Sequence, residues 1–178
     1  MKIPKVIKAV QHYKDVPKVE DPRGEISKKL AQFGLKDRVK PGMRIAVTAG
    51  SRGVDGMVDV IAQIIQEIKD CGGEPFIFPS MGSHAGATAE GQEAMLRSLG
   101  YTEDVIKCPI LSCMEPVRIG ETELGTPCYI DKNAWEADGV IVVNRIKKHT
   151  DHNNKTESGL LKMMTIGMGK RVMAKYVH

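Results

Sequence analysis

The stretch that decides the fold is MRIAVTAGSRGVDGMVDVIAQIIQEIKDCGGEPFIFPSMG, residues 43–82. Residues 43–50 form an apolar run that ends in a glycine turn, which predicts a buried strand. Apolar residues then recur at helical spacing as far as Gly72 and Gly73, which is typical of an amphipathic helix with a glycine end. A second apolar run, 75–82, predicts another strand. The helical stripe consists of Val54, Met57, Val58, Ile61, Ile64, Ile65 and Ile68.

The rest of the chain continues this alternation of strands and helices. We predict a helix over 88–99, short strands or a hairpin around CPILSC, PVRIG and TPCYID, and a short helix at KNAWEAD. A strand, GVIVVN, follows at 139–144, and a helix runs from Ser158 to the final residue. Wholly apolar strands alternating with helices favour a parallel sheet covered on both sides. The fold class is therefore α/β, with a Rossmann-like, mostly parallel sheet and helices on both faces.

A length of 178 residues predicts a single domain with a substantial core. Residues 1–23 are basic and dotted with prolines, which indicates an extended arm. A helix with apolar residues at helical spacing follows at 25–33 and stops at Gly34. We divide the domain into an arm plus helix, residues 1–40, and a ligand-binding core, residues 43–178.

The composition argues against several classes of protein. A net charge of +4, with no basic cluster beside stacking aromatics, disfavours nucleic-acid binding and suits a small anionic ligand. No apolar run approaches the roughly 20 residues of a membrane span, and the N-terminus lacks the features of a signal peptide. The cysteines lack zinc spacing, so buried free thiols and a cytoplasmic location are expected. They are Cys71, Cys108, Cys113 and Cys128.

Three loops follow predicted strands and hold the residues most capable of chemistry. They are TAGSRGVDGM (48–57), PSMGSHAGAT (79–88) and VNRIKKHTDH (143–152). Parallel α/β sheets bind ligands at the carboxyl ends of their strands. We therefore expect the three loops to meet at one site.

The first loop has the character of an anion site. Its small residues, Gly50 and Ser51 among them, let the backbone approach a ligand at a helix start. Arg52 can clamp a carboxylate or phosphate. The spacing is neither that of a dinucleotide fingerprint nor that of a P-loop. A plain turn with a solvated arginine is the competing interpretation.

The second loop carries His84 between glycines and other small residues, so a ligand can reach its ring. An imidazole with a pKa near 6.5 gives or takes a proton at neutral pH. The competing interpretation is a solvated or helix-capping histidine.

The third loop places His149 and His152 on either side of Asp151, a carboxylate able to orient an imidazole. The spacing of the two histidines invites a metal interpretation, but further ligands are not evident, and we predict no metal ligand. Ser158 is a candidate N-cap for the last helix. Lys162 would then lie in the first turn, where a cation is disfavoured unless it has an anionic or covalent partner.

Taken together, TAGSRGV, SMGSHAGAT and the stretch from VNRIKKHTDH to SGLLKMMTIGMGK resemble the N-terminal domain of the nickel-dependent lactate racemase family. The resemblance covers roughly residues 43–170, with the motifs in the family's order. It implies a racemase or epimerase of a 2-hydroxy acid. It also implies a nickel pincer cofactor built on a pyridinium mononucleotide, covalently attached to a lysine, which takes a hydride from C2 and returns it to either face.

The resemblance also implies roles for individual residues. Lys162 aligns with the lysine that holds the cofactor, and His84 with one of two histidines that move the hydroxyl proton. The second is His149 or His152, with Asp151 as the orienting neighbour. The candidate cofactor-binding residues are Lys162, Arg52, Gly50, Ser51, Ser158 and Gly159, and the candidate catalytic residues are His84, His149, His152 and Asp151.

One departure from the family concerns the substrate. Ala49 stands where lactate-specific members place an acidic residue, so the resemblance does not fix the substrate as lactate. The expected substrate is lactate or a related hydroxy or sugar acid. The resemblance further implies a longer protein, whose C-terminal domain closes the site and without which the fragment is inactive. The alternative hypothesis is a non-catalytic α/β module that binds a phosphorylated or nucleotide ligand through the same loops. A nicotinamide-dependent oxidoreductase is disfavoured because the glycine fingerprint is missing.

Overall fold

The computed structural model describes residues 8–10, 17–148 and 158–177. The strands in this part are β1 (Arg44–Ala49), β2 (Glu74–Pro79), β3 (Pro116–Glu121), β4 (Pro127–Asp131) and β5 (Gly139–Ile141). The α-helices are α1 (Pro22–Phe33), α2 (Leu35–Arg38), α3 (Met57–Asp70), α4 (Ala89–Ser98), α5 (Glu103–Ile106), α6 (Lys132–Trp135), α7 (Leu160–Lys162) and α8 (Lys170–Val177). A 3-10 turn at Ala85–Ala87 and a π-helical turn at Met163–Gly167 complete the elements.

Strand β1 is the centre of a parallel sheet, with β2 on one side and β5 on the other. The register places Val47 beside both Ile77 and Ile141. Because the three strands run in the same direction, their carboxyl ends lie at one edge of the sheet. The loops after β1, β2 and β5 therefore leave the sheet side by side, as the sequence predicted.

Both faces of this sheet are covered, because successive side chains of a strand point to opposite sides. The face packed against α1, α3 and α4 contains Val47 and Ile77. The opposite face, packed against α6 and Met168, contains Phe76 and Phe78. The α/β class and the covering of both faces are confirmed. The described sheet has three strands, so a Rossmann-like arrangement stays a prediction.

Strand β5 is shorter than the predicted run 139–144 and ends at Ile141. The hydroxyl of the buried Thr48 donates a hydrogen bond to the Val143 carbonyl at 3.1 Å and accepts one from the Val143 N–H at 2.8 Å. A side chain of β1 thus replaces the regular strand pairing at this point. These two hydrogen bonds hold Val143 beside β1 at the point where the chain leaves the sheet.

Helix α3 carries the predicted apolar stripe, but it begins at Met57 rather than near Val54. Gly56, with φ 72°, takes a left-handed conformation that turns the chain just before the first helical residue. The stripe then packs against β1 and β2, with Ile65 and Ile68 almost fully buried. A long helix held by such a stripe provides most of one layer of the core.

The segment between α5 and α6 contains the hairpin that the sequence offered as one alternative. Strands β3 and β4 pair antiparallel, and the connecting turn carries the exposed Leu124. The preceding CPILSC segment adds a single parallel bridge, Ile110 to Ile77, at the outer edge of β2. The hairpin stands outside the parallel sheet and contributes Ile130 to the second core cluster.

The prediction of one continuous helix from Ser158 onward is wrong. Helix α7 passes into the π-helical turn, and α8 begins only after a break at Gly169. Gly167 packs against the Ser80 carbonyl so closely that a Cβ there would lie 2.7 Å from the oxygen. Lys170 then takes a left-handed φ of 56°. Close packing against the end of β2 therefore decides the path of this segment, which helical periodicity could not reveal.

All four cysteines are free, as predicted, but only Cys108 is buried, and the other three are half-buried. Within the described ranges, no helix combines the length and the apolar character that a membrane crossing needs. The division of the chain into an arm and a core, and the existence of a further domain, stay predictions.

Replacing Ile65 by alanine should lower the free energy of unfolding by about 2–5 kcal/mol, because the side chain is 1% exposed and its removal leaves a cavity. Urea unfolding followed by circular dichroism measures the change. Leu124→Ala is the control, since Leu124 is 94% exposed and its loss should cost less than about 0.5 kcal/mol. Equal losses in the two variants would contradict the core described above.

Candidate functional site

A cavity of about 530 Å³ lies at the carboxyl edge of the sheet. Its volume is within the range of small-molecule binding sites, roughly 300–1,000 Å³. The loops after β1, β2 and β5 line it together with the segment that contains α7. The predicted convergence is therefore confirmed for the described residues. The predicted site residues in its lining are Gly50, Ser51, Arg52, His84, Ser158, Gly159 and Lys162.

The first loop contributes a contact that the sequence did not predict. The Ser51 hydroxyl lies 2.5 Å from Nδ1 of His84, so two of the loops touch through side chains. Ser51 was expected to bind a cofactor. That role stays a prediction, and the observed position also allows Ser51 to fix the orientation of the imidazole and to influence which ring nitrogen carries the proton.

The second loop owes its shape to small residues. Gly82, Ala85, Gly86 and Ala87 all have positive φ values, which coil the chain tightly around the exposed His84. The side chain that caps α4 belongs to Thr88, which accepts a hydrogen bond from an N–H of the first turn, and His84 makes no side-chain capping bond. The loop thus presents the imidazole at the cavity without involving it in a helix end.

The third loop is tied to the segment before α7 by two hydrogen bonds. The Asn144 amide donates to the Gly159 carbonyl at 2.8 Å, and the Ser158 hydroxyl donates to the Lys147 carbonyl. Ser158 is therefore not the predicted N-cap, a position that Gly159 occupies. Its side chain instead contacts the backbone of Lys147, on the other side of the residues that lie outside the description.

Lys162 is half-buried at the end of α7 and lines the cavity. The side chain thus stands on the same cavity as His84, as the sequence predicted. His149, Asp151 and His152 lie outside the described residues, so their positions and roles stay predictions.

Positive charge dominates the cavity. Arg52, Arg145, Lys147 and Lys162 all contribute to its lining, whereas no Asp or Glu does so in the described part of the chain. Arg145 and Lys147 are exposed and were not among the predicted site residues, yet both line the cavity. Their position directly after the last buried strand was the available signal. Cations gathered without carboxylates favour an anionic ligand.

Tyr101 is a further lining residue that the sequence did not predict. It lines the inner wall of the cavity and is 2% exposed. Burial raises the pKa of its hydroxyl to about 12, so the group stays neutral across the physiological range. It therefore adds a neutral hydroxyl group to the lining of the cavity.

Residues 1–176 match the sequence model of the lactate racemase N-terminal domain. The chain belongs to this family. No curated protein matches it significantly.

Membership of the lactate racemase N-terminal domain family indicates a role related to lactate racemase and gives the chain an isomerase relation. The family match comes from the sequence alone. Residues of the motifs that resemble this family nevertheless line the cavity. Across the described ranges, no group of three or more His, Cys, Asp or Glu residues is arranged to hold a metal ion.

Replacing Ser51 by alanine should change the tautomer populations of His84, because Nδ1 loses its hydroxyl partner. Long-range ¹H–¹⁵N correlation spectra of the two ring nitrogens measure this directly. Ser51→Thr retains the hydroxyl and serves as the control. Ring nitrogen shifts in Ser51→Ala that match those of the unmodified chain would show that the contact is not maintained in solution.

Burial of Tyr101 should make the fold less stable in alkali. The folded-state pKa lies above the ordinary value of 10, so this stability is complete below pH 10 and is lost as the pH approaches about 12. A shift of this size corresponds to about 2–3 kcal/mol. Urea unfolding of the unmodified chain and of Tyr101→Phe between pH 8 and about 12 should show a shallower decline for the variant.

Cys108, whose pKa burial raises to about 11, contributes to the alkaline decline in both proteins. The difference between the two curves therefore isolates the tyrosine. Curves that stay parallel from pH 8 upward would contradict the buried position of the hydroxyl.

Proposed function

We propose that this domain forms one part of the active site of a 2-hydroxy-acid racemase or epimerase that uses a lysine-attached nickel pincer nucleotide. The observation that carries the proposal is the shared cavity, in which a proton carrier, His84, and a candidate attachment residue, Lys162, stand among further cations. Membership of the lactate racemase N-terminal domain family supports the same reaction class.

The residues that line the cavity suit the nucleotide part of such a cofactor. A phosphorylated mononucleotide is anionic, and the cavity offers it the guanidinium group of Arg52 and the ammonium group of Lys147. Gly50 and Gly159 line the cavity as well and place no side chain in it. Since the described residues supply no metal cluster, the nickel would depend on ligands of the cofactor or on other residues.

The chemistry that the bound cofactor supplies is reversible acceptance of a hydride from C2 of the substrate. The chain itself must then bind the substrate carboxylate and move the hydroxyl proton. We assign the carboxylate to Arg145 and one proton transfer to the His84 imidazole, oriented by Ser51. One base for each enantiomer requires a second imidazole, and His149 or His152, oriented by Asp151, is proposed for it.

The position of Ala49 bears on the substrate. Ala49 is fully buried at the end of β1, so the chain offers no carboxylate there to contact a ligand. The proposed substrate class is therefore a 2-hydroxy acid, either lactate or a related hydroxy or sugar acid. We further propose a C-terminal domain of the same protein that closes the cavity, and a cytoplasmic location.

The attachment of a cofactor to Lys162 is tested by intact-mass spectrometry of the full-length protein made together with the enzymes that synthesise the cofactor. The unmodified protein should carry an adduct, and Lys162→Ala should lack it. Lys175→Ala is the control, because Lys175 is exposed on α8 and is not among the residues that line this cavity, so the adduct should stay in place.

A mass equal to that of the bare polypeptide under these conditions would defeat the proposal. It would favour the alternative of a non-catalytic module, which binds a phosphorylated or nucleotide ligand without a covalent bond. An adduct that persists in Lys162→Ala would instead place the attachment elsewhere and remove Lys162 from its proposed role.

A further inference from the structure

A fully buried lysine lies beneath the His84 loop and has no part in the reaction proposed above. Lys170 is 0% exposed, and its Nζ is 2.7 Å from Oδ2 of Asp131, which is also 0% exposed. The same Nζ donates a hydrogen bond to the Pro79 carbonyl at 2.6 Å. Pro79 is the last residue of β2, immediately before the loop. The buried ammonium group therefore contacts the backbone at the point where that loop begins.

Gln92 continues this contact into the loop itself. Its Nε2 donates to the Gly82 carbonyl at 2.9 Å and to the His84 carbonyl at 3.3 Å, and its Oε1 is 3.5 Å from Nζ of Lys170. Gln92 is 0% exposed on α4. The carbonyls of Pro79, Gly82 and His84 thus accept hydrogen bonds from two buried side chains, those of Lys170 and Gln92.

Asp131 completes the network from the opposite side. Its Oδ1 accepts hydrogen bonds from the N–H groups of Asn133 and Ala134 at the start of α6, at 2.7 and 3.3 Å. Within the described residues, its Oδ2 accepts no aligned hydrogen bond, so Lys170 supplies charge compensation there. The ion pair thereby connects the hairpin, α6 and α8 to the loop.

The backbone of Lys170 supports a specific use of this side chain. Its φ of 56° lies in the left-handed region, where glycine is the residue normally favoured. A lysine at such a position, with its charge withdrawn from water, is costly unless the partners of the side chain require it.

We propose that Lys170, Asp131 and Gln92 act as positioning residues for His84, which rests on the function proposed above for that histidine. The network holds the loop carbonyls from Pro79 to His84 in place, so that the imidazole keeps its distance to Ser51 and to the cavity. It acts through the backbone and touches neither substrate nor cofactor.

The first experiment needs no cofactor and uses the full chain. Gln92→Leu removes the two donors without leaving a charge, and it should shift the ¹⁵N resonances of the His84 ring. Leu96→Val is the matched control, because Leu96 is equally buried on the same helix and contacts the core instead. Unchanged His84 resonances in Gln92→Leu, or equal shifts in both variants, would overturn the proposal.

A second variant covers the case in which Gln92→Leu does not fold. Lys170→Met combined with Asp131→Asn removes both charges together, which is less harmful than leaving one buried charge alone, and an amide oxygen can still cap α6. The expected shift of the His84 resonances is the same. Failure of both variants to fold would assign the network to fold stability alone and overturn the positioning role.

The activity experiment uses the full-length holoenzyme. Gln92→Leu should lower kcat by about 10- to 100-fold, since small displacements of a catalytic group have effects of this size. KM should change by less than about twofold, because the substrate carboxylate is bound elsewhere. In a His84→Ala background the same substitution should cost less than about twofold. An equal loss in both backgrounds would contradict an effect that acts through His84.

These results separate the two proposals. If the adduct at Lys162 is missing but the His84 resonances shift as expected, the proposed function fails and the support of the loop stands. If the adduct forms and the resonances do not respond, the function stands and the positioning role fails.

Discussion

The structure depends on the two-sided burial of strand β1. Its side chains enter separate core clusters on the two faces, and its backbone pairs in parallel with β2 and β5. A strand in this position has no exposed face, so its register with both neighbours is fixed by apolar packing. The common direction of the three strands then brings three loops to one edge, where the cavity forms.

The cavity brings positively charged side chains close together, and their mutual repulsion does not stabilise the fold. Arg52 and Arg145 come from different loops, and Lys147 and Lys162 join them without a carboxylate among the described lining residues. Mutual repulsion among such groups is relieved by an anion, which gives the cavity a preference for negatively charged ligands. Buried Lys170 shows the opposite arrangement, because its charge is matched by Asp131 away from solvent. The cations that line the cavity are thus available to a ligand, whereas Lys170 is paired within the core.

The sequence was most informative where the pattern was local. The stripe of α3, the end of α1 at Gly34 and the strands around Val47 and Ile77 all followed from periodicity and from glycine positions. It was less informative where distant segments meet. The end of β5 depends on the Thr48 hydroxyl, and the break before α8 depends on packing against Ser80, so neither boundary is visible in the residues around it.

The sequence by itself determined the α/β class, the alternation of strands and helices as far as β5, and the loop that carries His84. These follow from side-chain period and turn chemistry, which act over a few neighbouring residues. Only the tertiary structure decided that Ser51 contacts His84, that Arg145 and Lys147 line the cavity, and that Lys170 is buried beneath the loop. Such contacts join residues far apart in the chain, and they depend on strand register and helix packing, which a linear pattern does not encode.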